Sequence, residues 1–269
     1  ASTLRWAVWN DAERRPRAGW RVLAALVALA VAAVTGALAG SLVAALAPST
    51  APPAVTAIVD ATAQLFVLVA FVVALLAVAW GVDRRRLADL GLGVDRRWWR
   101  DLGFGLALGV ALPALVFAVE WALGWLTVTG VVVTRAGPTV PVTGQAPAAL
   151  AFALTAVYFL GVGLFEELLF RGYLLTNAAE GLVGLPRMTA GRAVAVATLS
   201  TSVLFGLGHA ANPNASALGV VLIALYGAFL AAGFLLTGEL AIPVGFHAAW
   251  NLAISSVFGF PVSGVATPV

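Results

Sequence analysis

Residues 61–82 read ATAQLFVLVAFVVALLAVAWGV, a stretch without a single charged side chain. About 20 apolar residues in an α-helix, each rising about 1.5 Å, cross the roughly 30 Å of hydrocarbon in a bilayer. A membrane-spanning strand would instead alternate apolar and polar residues. The stretch therefore predicts a transmembrane helix.

Comparable charge-free stretches flank this one along the whole chain. They lie at 22–59 (split by prolines near residues 48–53), at 102–119, from about 147 to 165, in two runs between 192 and 239, and from 240 onward. Because each run is long enough to span a bilayer only as a helix, the fold class is predicted to be all-α, a polytopic membrane bundle. We expect about seven transmembrane helices, between six and eight, in a single integral membrane domain over residues 1–269.

The amino-acid composition also indicates that the protein lies in a membrane. Hydrophobic residues make up 62% of the chain and charged residues 10%, whereas soluble domains carry about 25% charge. This excludes a soluble enzyme, a disordered chain and a conventional nucleic-acid-binding protein. The absence of cysteine excludes disulfides, thiolate catalysis and cysteine-ligated zinc.

The basic residues predict the orientation in the membrane. All 15 are arginine, and 13 of them fall on one side of a seven-helix count, against Arg135 on the other side and Arg171 within a span. The 13 are Arg5, Arg14, Arg15, Arg17, Arg21, Arg84, Arg85, Arg86, Arg96, Arg97, Arg100, Arg187 and Arg192. The positive-inside rule then places the N-terminus in the cytosol and the C-terminus outside. The absence of lysine favours a prokaryotic cell membrane.

Ionisable side chains within spans are energetically costly and are therefore functional candidates. They are few here: Asp60, Glu120, Glu166, Glu167, Arg171, His209 and His247. Glu167 and Arg171 stand four residues apart, so they share one helix face and are expected to pair. Glu166 points about 100° away and lacks that partner, which fits a desolvated general base.

The only two histidines of the chain end two further motifs. His209 follows Phe205 by four residues at the end of the predicted fifth helix, and His247 precedes Asn251 by four in the seventh. These side chains reach similar depths only if the fourth helix continues to about residue 180 and the fifth begins near residue 191.

The three motifs, EExxxR at Glu166, FxxxH at Phe205 and HxxxN at His247, occur in the order typical of one family. The chain resembles the CPBP family, the type II CAAX prenyl endopeptidase and bacteriocin-processing intramembrane proteases. The resemblance covers roughly residues 165–251, and we take residues 148–258 as the catalytic core helices. It implies a helical bundle that hydrolyses a peptide bond inside the membrane.

The resemblance also implies roles for individual residues. Glu166 would be the general base and His209 its partner in activating water, while His247 and Asn251 would stabilise the oxyanion. Three residues would support the site: Glu167, Arg171 and Phe205. The expected partners are the lipid bilayer and a membrane-embedded or lipid-modified peptide or protein substrate, with no nucleic acid. A prenylated CAAX tail, a bacteriocin leader and another membrane peptide all remain open as substrates.

Cofactor chemistry is a separate question. If the site holds zinc, its ligands would be Glu166, His209 and His247. We favour a mechanism without a cofactor, because the Asn251 amide is a poor zinc ligand but a good oxyanion donor. Two alternatives to a protease stay open, an inactive membrane scaffold of the same fold and a transporter or proton-relay protein.

Overall fold

The computed structural model of the protein describes residues 7–48, 50–134, 139–142 and 146–268, so Arg5 and Arg135 lie outside the described residues. The described residues form seven helices and almost no strand. The helices are α1 (Ala18–Ala45), α2 (Pro53–Gly81), α3 (Arg96–Ala122), α4 (Ala148–Val183), α5 (Ala190–Gly208), α6 (Ala217–Thr237) and α7 (Ala241–Leu252). Six of these, α1 to α6, are long and apolar enough to span a membrane. The predicted all-α polytopic bundle is confirmed.

The helix boundaries follow from local sequence. Pro53 stands at the first position of α2, where a missing N–H costs nothing. This helix therefore starts earlier than residue 61, and Asp60 lies inside it. Asp95 caps α3, because its side chain accepts a hydrogen bond from the Trp98 backbone N–H over 2.8 Å. Ser216 caps α6 in the same way.

The fourth helix is long and changes its winding at the EExxxR motif. It is α-helical over Ala148–Glu167, π-helical over Leu168–Leu175 and α-helical again over Thr176–Val183. π-Turns inside α-helices are frequent at functional sites. α4 continues to Val183 and α5 begins at Ala190. These are the helix bounds expected if the EExxxR and FxxxH motifs are to lie at similar depths in the membrane.

Glycines bring α3 and α7 into backbone contact. A Cβ added at Gly105 would lie 2.4 Å from the Ile242 carbonyl oxygen, and one at Gly109 would lie 2.5 Å from the Phe246 carbonyl oxygen. Small residues drive helix association in membranes because they let backbones approach closely. α7, which carries His247, is therefore fixed against the bundle along its length; it continues as a π-turn over Ala253–Val257.

The described arginines, apart from Arg171, lie where α1, α3 and α5 begin and where α2 and α4 end. We call this end of the bundle the arginine-rich face. It also carries a two-stranded hairpin, β1 (Trp9–Asn10) and β2 (Arg15–Pro16), and a 3₁₀ turn at Leu87–Leu90.

A buried carboxylate organises the arginine-rich face. Asp83 is fully buried just after α2, and its Oδ1 accepts hydrogen bonds from Arg15 and from Arg21, each over 2.6 Å. Its Oδ2 accepts one from Arg85 over 2.8 Å. The same three arginines contact Glu180 near the end of α4. Besides indicating the orientation, these arginines therefore join β2, α1, α2 and α4.

The Asp83 network makes stability pH-dependent. Burial by itself raises the pKa of Asp83, but hydrogen bonds from Arg21 and Arg85 outweigh it, and the pKa lies below its ordinary value. The stabilisation is therefore fully present above the unfolded-state pKa of about 3.9 and is lost as the pH falls through the lower folded-state pKa. We expect unfolding of the detergent-solubilised protein to become easier below about pH 4.

The variant Asp83→Asn tests the same network at neutral pH. It leaves the buried Arg21 and the partly buried Arg15 and Arg85 with Glu180 as their shared acid. We expect a loss of about 3–5 kcal/mol in the free energy of unfolding. Asp89→Asn is the matched control, because Asp89 pairs with Arg86 at an exposed site, where an ion pair contributes about 0–1 kcal/mol. Equal losses in the two variants would contradict the assigned role of Asp83.

Candidate active site

Glu167 is the centre of the polar cluster inside the bundle. Its side chain is fully buried, and its Oε1 accepts hydrogen bonds from Arg171 Nη1 and from His247 Nδ1, each over 2.8 Å. The expected pair of Glu167 and Arg171 thus forms. The contact to His247 was not foreseen, because four-residue spacing finds partners only within one helix.

Arg171 extends this cluster to two more helices. Its Nη2 donates a hydrogen bond to the Gly227 carbonyl oxygen of α6 over 2.7 Å. Its guanidinium carbon lies 4.6 Å from the centre of the Phe205 ring of α5, within range of a cation–π interaction. Both Arg171 and Phe205 are buried. The charge of Arg171 is therefore neutralised by Glu167 and shielded by an aromatic ring.

Glu166 differs from its neighbour in being partly exposed, although both acids keep one buried carboxylate oxygen without a hydrogen-bond partner. Its Oε2 is buried and accepts no hydrogen bond, and it lies 3.7 Å from His247 Nε2. The side chain is 20% exposed and lines a cavity from which Glu167 is absent. Of the two acids, Glu166 is thus the one open to chemistry.

His209 is fixed by a backbone contact. Its Nδ1 lies 2.8 Å from the Phe205 carbonyl oxygen. Since a carbonyl only accepts, Nδ1 carries the hydrogen, and Nε2 retains a lone pair in the neutral ring. The Phe205 ring packs against the rings of both His209 and His247, with centroid distances of 4.9 and 6.0 Å.

One cavity of about 400 Å³ collects the four predicted catalytic residues. Glu166, His209, His247 and Asn251 all line it, although they come from three helices. Asp60 and Glu120 are not among its lining residues. The α2 side of the cavity is apolar except for Gln64, which the search for ionisable residues did not reveal.

Tyr226 is a second residue that the sequence analysis missed. Its Oη is buried without a hydrogen-bond partner, and its ring meets the His247 ring edge-on with a centroid distance of 5.7 Å. It lines a smaller cavity of about 190 Å³ that shares Phe205, His209, His247 and Asn251 with the first. A lone tyrosine in an apolar helix was the available signal, but tyrosine is common in packed cores.

The zinc ligand set does not fit this arrangement. Glu166 and His247 approach each other, yet no group of three His, Asp or Glu side chains in the described part of the chain lies close enough to hold a metal ion. We therefore derive no chemical step through a metal.

Comparison with known families covers the segment that carries the four predicted catalytic residues. Residues 148–253 match the family model described as type II CAAX prenyl endopeptidase Rce1-like. This match supports membership of the CPBP family. The matched segment contains α4 to α7 and all three CPBP motifs, and residues 1–147 lie outside it. No curated protein and no solved structure matches this chain.

The cluster around Glu167 predicts strong coupling between buried charges. Arg171→Leu leaves the Glu167 carboxylate without its cation, and we expect it to lower the free energy of unfolding by about 3–5 kcal/mol. Adding Glu167→Gln to Arg171→Leu should recover part of this loss, because the unpaired charge is then gone. Chemical unfolding in detergent of both single variants and the double variant measures the coupling. Strictly additive losses would contradict the pair.

Proposed function

We propose that the protein is an intramembrane endopeptidase that hydrolyses a peptide bond of a membrane-associated substrate. The observation that carries the proposal is the single cavity in which Glu166, with its free buried oxygen, stands beside His209, His247 and Asn251. The match to an Rce1-like family supports a protease of the CAAX type.

Glu166 is proposed as the general base. Its unpartnered Oε2 accepts a proton from a water molecule in the cavity, and the resulting hydroxide attacks the scissile carbonyl carbon. His209 orients the same water through the lone pair of Nε2, because its Nδ1 is already engaged. The protonated Glu166 then donates the proton to the leaving amine as the C–N bond breaks.

His247 and Asn251 are proposed as the oxyanion donors. Because His247 donates its Nδ1 hydrogen to Glu167, the ring donates to the oxyanion from Nε2 only when it is doubly protonated. In that state the charges of Glu166, Glu167, Arg171 and His247 sum to zero, which suits a site inside a membrane. The Asn251 side chain adds a neutral N–H donor.

The substrate is proposed to reach the cavity from outside the cell. The cavity is bordered by Val140, Asn212 and Ser263, which lie at the end of the bundle opposite the arginine-rich face. If the arginine-rich face is cytosolic, as the positive-inside rule requires, this opening faces outward. The N-terminus is then cytosolic and the C-terminus external in a prokaryotic cell membrane, and the substrate is a membrane-embedded or lipid-modified peptide.

Replacing the proposed base tests the reaction. We expect Glu166→Gln, which keeps the shape but removes the basic oxygen, to lower cleavage of a quenched peptide library about 10²–10⁴-fold in the purified protein. Glu120→Gln is the matched control, since Glu120 does not line the cavity. A chelator should leave the rate unchanged.

Other outcomes separate the alternatives. Equal cleavage by the wild type and Glu166→Gln would end the assignment of the base, and loss of cleavage with a chelator, restored by zinc, would overturn the metal-free mechanism. No cleavage at all would favour an inactive scaffold. Proton or solute flux in liposomes would favour a transporter.

The orientation is testable because the chain has no cysteine of its own. We expect a membrane-impermeant maleimide to label Thr129→Cys in intact cells, since Thr129 lies in the exposed loop between α3 and α4. Arg86→Cys, whose position is exposed on the arginine-rich face, should be labelled only after permeabilisation. The reverse pattern would place the cavity opening in the cytosol.

A further inference from the structure

The chain beyond α7 folds back over the catalytic cavity. Residues 261–267, which we call the strap, form a tight turn in which Val262 and Val265 exchange backbone hydrogen bonds of 2.9 and 2.8 Å. Ser263 and Gly264 at its tip both have positive φ angles, 48° and 83°. Such a two-residue turn is compact and defined by its own hydrogen bonds.

The strap contributes to the walls of both cavities. Val262, Ser263, Val265 and Thr267 line the larger cavity beside Glu166. Val262 and Ser263 also line the smaller one, together with His209, His247 and Asn251. The turn thus lies against the residues proposed to act on the scissile bond.

Within the described part of the chain, three donors bind the main chain of the strap. Asn212 Nδ2 donates to the Ser263 carbonyl oxygen over 3.0 Å, and Asn214 Nδ2 donates to that of Gly264 over 3.2 Å. The Val140 backbone N–H donates to the Ala266 carbonyl oxygen over 3.1 Å. We call Val140, Asn212 and Asn214 the rim.

The rim has the chemistry of a peptide-binding site. Donors that bind backbone carbonyls recognise a polypeptide whatever its side chains are, and main-chain hydrogen bonds supply affinity in many peptide-recognition sites. The rim is also connected to the catalytic residues, because the Asn212 backbone N–H donates to the His209 carbonyl oxygen over 3.1 Å. A peptide held by the rim would therefore be held next to His209.

The fit between the strap and the rim is close. A Cβ added at Gly264 would lie 2.0 Å from the Pro213 carbonyl oxygen, far inside van der Waals contact. No flexible side chain is available there to move aside, since the contact is with backbone. The strap therefore stays in place only because residue 264 is glycine.

We propose that the rim is a binding site for the main chain of the substrate polypeptide and that the strap is its resident occupant, which the substrate displaces. Leaving the rim costs the strap its three hydrogen bonds to Val140, Asn212 and Asn214, and an incoming main chain restores them. The exchange is thus nearly balanced. The proposal rests on the proposed function in taking the occupant to be the substrate of the endopeptidase.

Binding in the absence of cleavage provides the test. The probe is a fluorescein-labelled peptide with the strap sequence PVSGVAT, titrated by anisotropy against the full-length Glu166→Gln protein in nanodiscs. In this protein the tethered strap competes at an effective concentration of the order of millimolar. Adding Gly264→Ala, which forces the strap off Pro213, is expected to raise the affinity for the probe at least about 10-fold.

The matched control is Gly124→Ala. Gly124 also has a positive φ, 71°, but a Cβ there meets nothing within 4 Å. Gly124→Ala introduces the same kind of backbone strain as Gly264→Ala but no steric clash. The affinity for the probe should therefore equal that of the Glu166→Gln protein without a second substitution. Should Gly264→Ala fail to fold, Val265→Pro releases the strap by removing the N–H that closes the turn.

A second substitution identifies where the probe binds. Adding Asn212→Ala to the released protein removes one rim donor, and we expect it to lower the affinity for the probe about 2–10-fold. An unchanged affinity would show that the probe binds elsewhere and would overturn the rim as the site. Unchanged or weaker probe binding in both Gly264→Ala and Val265→Pro would overturn the strap as its occupant.

The two proposals fail separately. The expected binding pattern without cleavage of any library peptide by the wild type would support the rim and reject the endopeptidase. Cleavage could instead depend on Glu166 while the affinity for the probe is unchanged by Gly264→Ala and by Asn212→Ala. That result would reject the rim as a binding site and support the endopeptidase. In an active protein a released strap should lower KM while kcat stays the same, because the strap competes only with substrate binding.

Discussion

The Glu167 carboxylate is the interaction on which the catalytic half of the structure depends. One oxygen accepts hydrogen bonds from Arg171 of its own helix and from His247 of α7. Through Arg171 it also reaches the Gly227 carbonyl of α6 and the ring of Phe205 on α5. Inside a membrane an unpaired carboxylate is not solvated by water and is therefore costly. The contacts that satisfy the charge of Glu167 thus also hold the four helices together. Each of the two neighbouring acids keeps one buried oxygen without a hydrogen-bond partner, but it is Glu166 that lines the cavity.

The remaining helices fix the position of this cluster from two sides. α3 presses against α7 through glycines, so that His247 and Asn251 are carried on a helix with little freedom to shift. At the arginine-rich face, Asp83 and Glu180 bind three arginines and join the end of α2 to the end of α4. The proposed general base and oxyanion donors need positions held within a fraction of an ångström, and a frame fixed at both ends supplies that rigidity.

The opening of the cavity is built differently from its interior. Its walls belong to helices, but its cover is a turn held to neighbouring loops through backbone carbonyls. A rigid interior and a weakly held cover suit the proposed endopeptidase, because water and the peptide must enter while the proposed catalytic residues keep their geometry. The smaller cavity on the far side of His247, with the unpartnered hydroxyl of Tyr226, shows that the polar site does not end at the three motifs.

The sequence by itself determined that the protein lies in a membrane, that its fold is all-α, and which residues are candidates for function. Long charge-free runs are decisive, because a bilayer admits few backbone arrangements, and scarce ionisable residues in such runs are conspicuous. Pairs within one helix, such as Glu167 and Arg171, followed from spacing alone. Only the tertiary structure decided that His247 binds Glu167, that Tyr226 stands beside it, that the arginines surround Asp83 and that the strap lies on the cavity. Apart from Arg85 beside Asp83, these contacts join residues far apart in the chain, and helical periodicity carries no information about which faces of two different helices meet.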